Sequence, residues 1–292
     1  MRLAQKGSAF PLKTEAPQAG SRKRLHGFLR VTASNDGFGR TVLERKAHRT
    51  PIHVSKPYWN GSSLLLNVMS PTAGMLEGDR VEMDISIESK ANLVVSNPTA
   101  LRIHKMNTGK AVWKQVFNVA RQGFLETHPE WIIPQAQSRF EQHTLINVAT
   151  NSRLFFIEAL APGRVASGEA FAFDRFQNRL EIHFDNRLVA LEQSDISPIS
   201  KSQSGWQAAH EKPYTYSLYI SAPELANNDE FFQFIHEQQT PTLLSGSSKL
   251  GYAPCWNIKI ISESSVEAKA VLGLIRERFY HIISLPIVDL RK

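Results

Sequence analysis

The amino-acid sequence predicts a mainly β fold made of stacked sheets, with about two α-helices in the C-terminal third. Apolar and polar residues alternate along several short segments, most clearly over residues 81–88, which is the pattern of a half-buried strand. Such segments recur about every 8–12 residues, the spacing typical of an all-β sheet stack. Strands do not alternate with helical patterns, which argues against a parallel α/β fold.

The length and composition of the chain are those of a globular protein. It has 292 residues, of which 42% are hydrophobic, enough for one large core. We expect a single β-rich domain over residues 25–292. Residues 1–24 are polar, lack periodicity and contain the only tight basic run, Arg22-Lys23-Arg24, so we expect a disordered basic tail there. No internal repeat is visible.

The first half of the chain is predicted to be a succession of strands separated by turns. Residues 70–79 are rich in Gly and Pro and interrupt the pattern as a loop. The predicted strands lie at residues 27–31, 41–45, 64–69, 81–87, 93–96, 111–120, 124–126 and 140–148.

The centre of the chain continues this pattern and gathers charged groups at its corners. An apolar run over residues 154–160 leads into the turn Pro162-Gly163-Arg164. Phe171 and Phe173 are then predicted on one face of an alternating strand. Two further strands, separated by the turn dipeptide Asp185-Asn186, are predicted at residues 180–184 and 188–191.

The last third contains the two predicted helices. Asn228 is placed to cap a helix whose apolar side carries phenylalanines. Ser264 and Glu267 match a capping box at the start of a second helix, which we expect to run to about Tyr280. Around the helices we expect a polar loop at residues 201–209, strands at 214–220 and 256–261, and a flexible Gly/Ser/Pro-rich loop at 243–255.

Charge and cysteine content narrow the class of protein. The net charge is +7, but both signs are interleaved beyond the N-terminus and no nucleic-acid-binding motif is present. No apolar run is long enough to span a bilayer. The single cysteine, Cys255, excludes an internal disulfide and fits a reducing compartment. We expect a cytoplasmic protein that binds neither nucleic acid nor membrane.

The sequence contains no recognisable catalytic or tight metal-binding motif. Phosphate-binding loops and the nucleophile elbow are both missing. Cys255 is interpreted as a small buried apolar residue. His48 and His53 flank a proline and could meet across a turn, but we favour surface residues there, because metal sites need clustered ligands.

The carboxylates in turns are the most informative charged residues. Asp79 ends the glycine-rich loop, and Glu158, Glu169 and Asp174 surround the central turn. One interpretation is a set of corner salt bridges, in which Arg164 pairs with Glu158 or Glu169 and is buried with it. The other is a polar passage whose oxygen ligands hold a divalent cation weakly.

Several motifs occur in an order that resembles one protein family. Residues 158–164 read Glu-x-Leu-Ala-Pro-Gly-Arg, and residues 168–175 read Gly-Glu-x-Phe-x-Phe-Asp-Arg. Residues 70–79 read Ser-Pro-Thr-x-Gly-Met-x-x-Gly-Asp, and residues 129–134 read Pro-Glu-x-Ile-x-Pro. These motifs are similar to those of the urease accessory protein UreD (UreH) family.

The resemblance implies a fold and a role. It implies a two-layer, β-helix-like stack and a non-catalytic scaffold that binds a UreF-like protein, through it a UreG-like GTPase, and apo-urease, with a dimeric assembly possible within that complex. Nickel(II) would pass transiently through an internal channel, with no tightly bound cofactor. The candidate ligands for nickel are Asp79, Glu158, Glu169 and Asp174. The residues expected to shape the loops are Gly74, Gly78, Pro162, Gly163 and Arg164.

The glycine loop departs from the family pattern, and two other functions stay open. Ala73 and Glu77 stand where the family usually has glycine, which predicts a loop with less freedom at positive φ. One alternative function is a small hydrolase that uses Glu158, Glu169 and Asp174. The other is a basic β-rich module that binds nucleic acid.

Overall fold

The computed structural model describes residues 24–198, 214–251 and 253–290. The expected basic tail, apart from Arg24, and the expected polar loop at residues 201–209 lie outside these ranges. In the part of the chain that is described, no helix has the length and apolarity needed to cross a membrane.

Strands dominate the described residues. The first nine are β1 (His26–Asn35), β2 (Thr41–Arg49), β3 (His53–Val54), β4 (Tyr58–Asn60), β5 (Ser63–Met69), β6 (Arg80–Ile87), β7 (Asn92–Asn97), β8 (Leu101–Ile103) and β9 (Ala111–Val119). The next are β10 (Phe124–Pro129), β11 (Ile132–Pro134), β12 (Arg139–Val148), β13 (Arg153–Leu160), β14 (Arg175–Phe184), β15 (Arg187–Ile196), β16 (Tyr214–Ser221), β17 (Leu243–Leu250) and β18 (Cys255–Ser262). The α-helices are α1 (Asp229–Glu237) and α2 (Ser265–Ile282).

The strands form two facing sheets through which the chain coils. The first sheet has the order β15-β14-β12-β9-β6-β1-β2, and the main path of the second has the order β17-β18-β16-β13-β10-β7-β5-β3. From β5 to β14 the long strands alternate between the sheets and pair in parallel with the strands of the next coil. The mainly β, two-layer, β-helix-like prediction is therefore confirmed.

Equivalent positions of successive coils stack on one another in register. Ile87 pairs with Val119, Val119 with Val148, and Val148 with Phe184. These spacings are unequal, which explains why no repeat is visible in the sequence. On the opposite face of β9, Asn118 accepts a hydrogen bond from Nδ2 of Asn147 at 2.8 Å, an amide contact between neighbouring coils.

The second sheet is buried on both faces, and this produces two hydrophobic cores. In β13, Leu154 and Phe156 point into the core between the sheets, whereas Phe155 and Ile157 point into the core beneath the helices. A strand covered on both faces is expected to be mainly apolar, which accounts for the apolar run at residues 154–160, where Glu158 is the one charged residue.

Both predicted helices and their caps are confirmed. The Asn228 side chain accepts a hydrogen bond from the Phe231 N–H at 3.0 Å, and the Ser264 hydroxyl accepts one from the Glu267 N–H at 3.4 Å. The second helix continues to Ile282, slightly beyond its expected end. In α1, Phe232 stacks on Trp256 with ring centroids 4.9 Å apart.

Two local predictions were wrong. Residues 171–174 are not a strand: Phe171 has φ +53° and its N–H donates to the Pro162 carbonyl at 2.7 Å, so the segment folds over the central turn. Residues 243–250 are a strand, β17, and not a flexible loop. Their backbone pairs with β18, and Ser245 Oγ donates to the Ile235 carbonyl at 2.5 Å.

A buried ion pair joins the second sheet to α2. Arg276 Nε lies 2.5 Å from Oε1 of Glu126, and Arg276 Nη2 donates to Oε2 at 3.1 Å. The Tyr280 hydroxyl also donates to this carboxylate. Burial raises the pKa of Glu126, but the contacts from His128 and Arg276 outweigh it and hold the pKa below its usual value. The carboxylate is fully buried and its charge is balanced by these donors.

We predict that Arg276→Met destabilises the fold by about 3–5 kcal/mol, because it leaves the Glu126 carboxylate buried without its cation. Chemical unfolding followed by circular dichroism measures this. Arg278→Met in the same helix is the control: its exposed guanidinium contacts the Phe234 ring, so we expect a change within about 0.5 kcal/mol. Equal stabilities for the two variants would contradict the assigned role of the buried pair.

Candidate functional site

Two cavities lie between the sheets and share four lining residues, one of which is a carboxylate. The narrower cavity has a volume of about 80 Å³ and reaches from Ile52 to Glu158. The wider one has a volume of about 830 Å³ and lies towards the β15 and β17 edges. The residues that line both are Ile132, Gln142, Glu158 and Ala159. Glu158 is the acidic residue among these four.

The alternation of β13 turns Glu158 towards the first sheet. It follows Phe156 on the inward face of the strand, and the facing strands β12 and β14 place Gln142 and Asn178 side by side in register. Gln142 Nε2 donates to Oε1 of Glu158 and Asn178 Nδ2 donates to Oε2, each at 2.8 Å. The carboxylate therefore connects the two sheets through amides of the opposite layer.

The environment of Glu158 brings its titration close to neutral pH. Burial raises the pKa of this carboxyl to about 7, although the Asn178 amide opposes the rise. The negative charge of Glu192 adds to the rise, and the positive charge of Lys259 opposes it. Near pH 7 both the acid and the carboxylate are accessible, so the group can exchange a proton for a cation.

A second polar cluster lines the wider cavity. Lys259 Nζ lies 2.6 Å from each oxygen of Glu192 and donates to Ser217 Oγ at 2.7 Å. The Tyr219 hydroxyl donates to the same carboxylate, and burial, with the charge of Glu192, raises the pKa of this phenol. Sequence reasoning missed this cluster, because Glu192 and Lys259 lie on strands far apart in the chain.

Two buried polar atoms on the cavity walls have no protein partner among the residues described and could bind water. Nε1 of the buried Trp113, on the narrower cavity, and Oδ1 of Asn178, on the wider one, have no protein partner within the described ranges. A buried polar group without a partner is costly, and water is its usual partner. A volume of about 80 Å³ has room for several water molecules.

The other predicted carboxylates are engaged away from the cavities. Asp79 is buried and accepts the N–H groups of Leu25 at 3.2 Å and Leu76 at 2.9 Å. Asp174 pairs with Arg139 at 2.5 Å. Glu169 binds Arg164 and the Ala136 N–H. The four carboxylates are not brought to one place, and the described residues include no group of three or more His, Cys, Asp or Glu that could hold a metal.

The backbone of the glycine loop accommodates Ala73 and Glu77, the two residues that replace glycines of the family pattern. Ala73 and Glu77 do not adopt positive φ, unlike Gly74 and Gly78. The Glu77 carboxylate accepts the N–H groups of a neighbouring loop at Asn107 and Gly109, which lower its pKa to about 2. Glu77 therefore holds the two loops together.

The central turn is held by backbone geometry and an exposed ion pair. A Cβ atom at Gly163, which has φ +136°, would lie 2.4 Å from the Glu169 carbonyl oxygen. Arg164 Nε donates to Oε2 of Glu169 at 2.9 Å, which confirms Glu169 as its partner. The expectation of a buried pair was wrong, since 45% of the Arg164 side chain is exposed.

The remaining candidates lie where the sequence placed them. Cys255 is fully buried, and burial raises the pKa of its thiol to about 12, so its interpretation as a small buried residue is confirmed. His48 and His53 are exposed, and their rings meet across the turn with centroids 6.1 Å apart.

Comparison with known proteins gives one consistent match. Residues 25–288 match the family model described as UreD urease accessory protein. The chain is 32% identical over 252 residues to the urease accessory protein UreD of Opitutus terrae, covering 86% of this chain and 92% of that protein. It is 27% identical over 266 residues to the protein of the same name from Acetivibrio thermocellus, covering 89% and 98%.

We predict that wild-type stability falls relative to Glu158→Gln as pH rises. A carboxyl whose pKa is raised from 4.5 to about 7 in the folded state contributes stability that is present below the unfolded value and lost as pH rises through the folded one. Gln does not titrate, and the Asn178 amide can turn its unpartnered Oδ1 towards the new NH₂ group. Melting temperatures between about pH 5 and 8 measure the difference, and parallel curves would contradict the raised pKa.

We predict that substitution by alanine lowers the stability of the fold at Gly163 but not at Arg164. Gly163→Ala places a Cβ against the Glu169 carbonyl at positive φ and should cost about 1–3 kcal/mol. Arg164→Ala removes only an exposed pair, so its melting temperature should stay close to that of the wild type. Thermal unfolding of both variants tests this, and a larger loss for Arg164→Ala would show that the ion pair holds the turn.

Proposed function

The chain belongs to the UreD family of urease accessory proteins, and on that premise we propose that it is a non-catalytic scaffold of urease maturation that passes nickel(II) to apo-urease through its interior cavities. Nickel is the cargo in this proposal, and no tightly bound cofactor is involved. The observation that carries the proposal is the position of Glu158, which lines both cavities.

The chemistry of the cavity walls suits transit better than storage. Nickel held tightly in proteins prefers nitrogen or sulfur ligands, whereas scattered oxygen ligands exchange an ion readily. Amide, hydroxyl and carboxylate oxygens line the path at Gln142, Glu158 and Ser217. The Cys255 thiol is buried and its pKa is raised, so it does not form the thiolate that would bind the ion tightly.

Glu158 is the ligand that the proposal retains. Asp79, Glu169 and Asp174 were candidates on sequence grounds, but their carboxylates hold backbone N–H groups or arginines and do not line either cavity. A proton on Glu158 could leave as the cation arrives, because the pKa of about 7 keeps both forms accessible.

The partners are proposed from the family. The protein would bind a UreF-like accessory protein, through it a UreG-like GTPase, and apo-urease in the cytoplasm, with a dimeric assembly possible in the complex. A hydrolase is disfavoured because Glu158, Glu169 and Asp174 have separate partners. Nucleic-acid binding is disfavoured because many basic side chains are already paired with carboxylates, as in Arg175–Asp195 and Lys269–Glu130.

We predict that Glu158→Gln reduces nickel delivered to apo-urease by about tenfold or more, because an amide cannot balance the charge of a passing cation. The measurement is urease activation by the purified accessory complex, with assembly checked by gel filtration. Glu169→Gln is the matched control, since it removes a carboxylate that lies off the cavities. Full activation by Glu158→Gln within an intact complex would overturn the passage through the interior.

A further inference from the structure

Two exposed imidazoles meet at the edge of the sheet stack. His48 lies near the end of β2 and His53 begins β3, so the short link between these strands brings their side chains together. The ring centroids are 6.1 Å apart and the ring planes are nearly perpendicular, at 83°. Neither residue is used in the function proposed above.

The hydrogen bonding of His48 leaves one ring nitrogen available as a ligand. Its Nδ1 lies 3.1 Å from the Ile52 carbonyl oxygen, and a carbonyl can only accept, so Nδ1 carries the proton. Nε2 then carries a free lone pair. Histidines that bind metals commonly donate their other N–H to a carbonyl in this way, which fixes the ring and its tautomer.

The distance between the ring centroids sets an upper limit for sharing one ion. With a metal–nitrogen bond of about 2.0–2.1 Å, a ring centroid lies about 3.2 Å from the ion, so two imidazoles can share it only within about 6.4 Å. The observed 6.1 Å satisfies this limit. Within the described residues the His53 ring makes no hydrogen bond, so it is free to turn about χ2, a broad torsion.

The pair lies next to residues that line the narrower cavity. Ile52, whose carbonyl binds His48, is buried and lines that cavity. Met69, the strand partner of His53, lines it as well. The backbone that carries the two imidazoles therefore continues directly into the cavity wall.

We propose that His48 and His53 form a two-imidazole site that binds a divalent transition-metal ion beside the narrower cavity. Two protein nitrogens, with water completing the coordination, give a weak and exchangeable site. Lys46, two positions before His48 on β2, adds a positive charge that weakens cation binding further and favours release. The identity of the ion as nickel(II) rests on the proposed function, but the metal site itself does not.

The test uses untagged full-length protein and nickel(II) as the probe. Calorimetric titration should show an exchangeable site whose affinity falls about tenfold or more in both His48→Ala and His53→Ala. Because one ion is shared, the loss of binding free energy in the double variant should be smaller than the sum of the losses in the two single variants. His281→Ala, which removes an exposed histidine near the end of α2, should bind as the wild type does.

Two results would overturn the proposal. One is unchanged affinity in both single variants while their melting temperatures match the wild type, and the other is independent, additive losses from the two histidines. Copper(II) resonance spectra provide a second measurement, since the wild type should show two equatorial nitrogens and each single variant fewer. Urease activation by Glu158→Gln tests the interior passage separately from this titration, so failure of the histidine site and failure of the interior passage are distinguishable.

Discussion

Parallel, in-register stacking of strands in both sheets is the constraint on which the rest of the structure depends. Facing sheets lie about 10 Å apart, so side chains of the two inner faces must fill a gap of nearly constant height. Apolar ladders such as Ile87, Val119 and Val148 fill most of it. Polar residues in this gap pair within one sheet, as Gln115 does with Thr144, or across to the opposite sheet, as Glu158 does with Gln142 and Asn178.

Local pattern was enough to find most strands and both helices, but not the way in which the chain coils. The alternation at residues 81–87 and the Asn228 cap depend on neighbours in sequence, and both are observed. The strand at residues 243–250 was missed because its Ser and Gly residues are typical of loops, whereas here Ser245 lies against the first helix and donates to its Ile235 carbonyl. The coiled connectivity could not be derived from periodicity. Successive coils differ in length, and their strands pair with residues about 30 positions away in the chain.

The same distinction applies to the candidate site. Glu158 was identifiable because a carboxylate inside an apolar run demands partners, and the Arg164–Glu169 pair was identifiable because its members are five residues apart. The Glu126–Arg276 and Glu192–Lys259 pairs were not, because 150 and 67 positions separate their members. Charge pairs that connect sheets and helices produce no recognisable pattern among neighbouring residues in the sequence. These pairs nevertheless determine which carboxylates are available to bind an ion.

The number of stacked strands also sets a length scale for transport. Seven strands separated by about 4.8 Å make the first sheet about 29 Å wide from β2 to β15. His48 lies on one outermost strand and Glu192, which lines the wider cavity, lies on the other, so a path from the first to the second would span almost the full width. Each coil gained or lost in evolution would change the length of that path by about 4.8 Å. The number of coils would therefore set the distance between the point where an ion enters the protein and the point where it leaves.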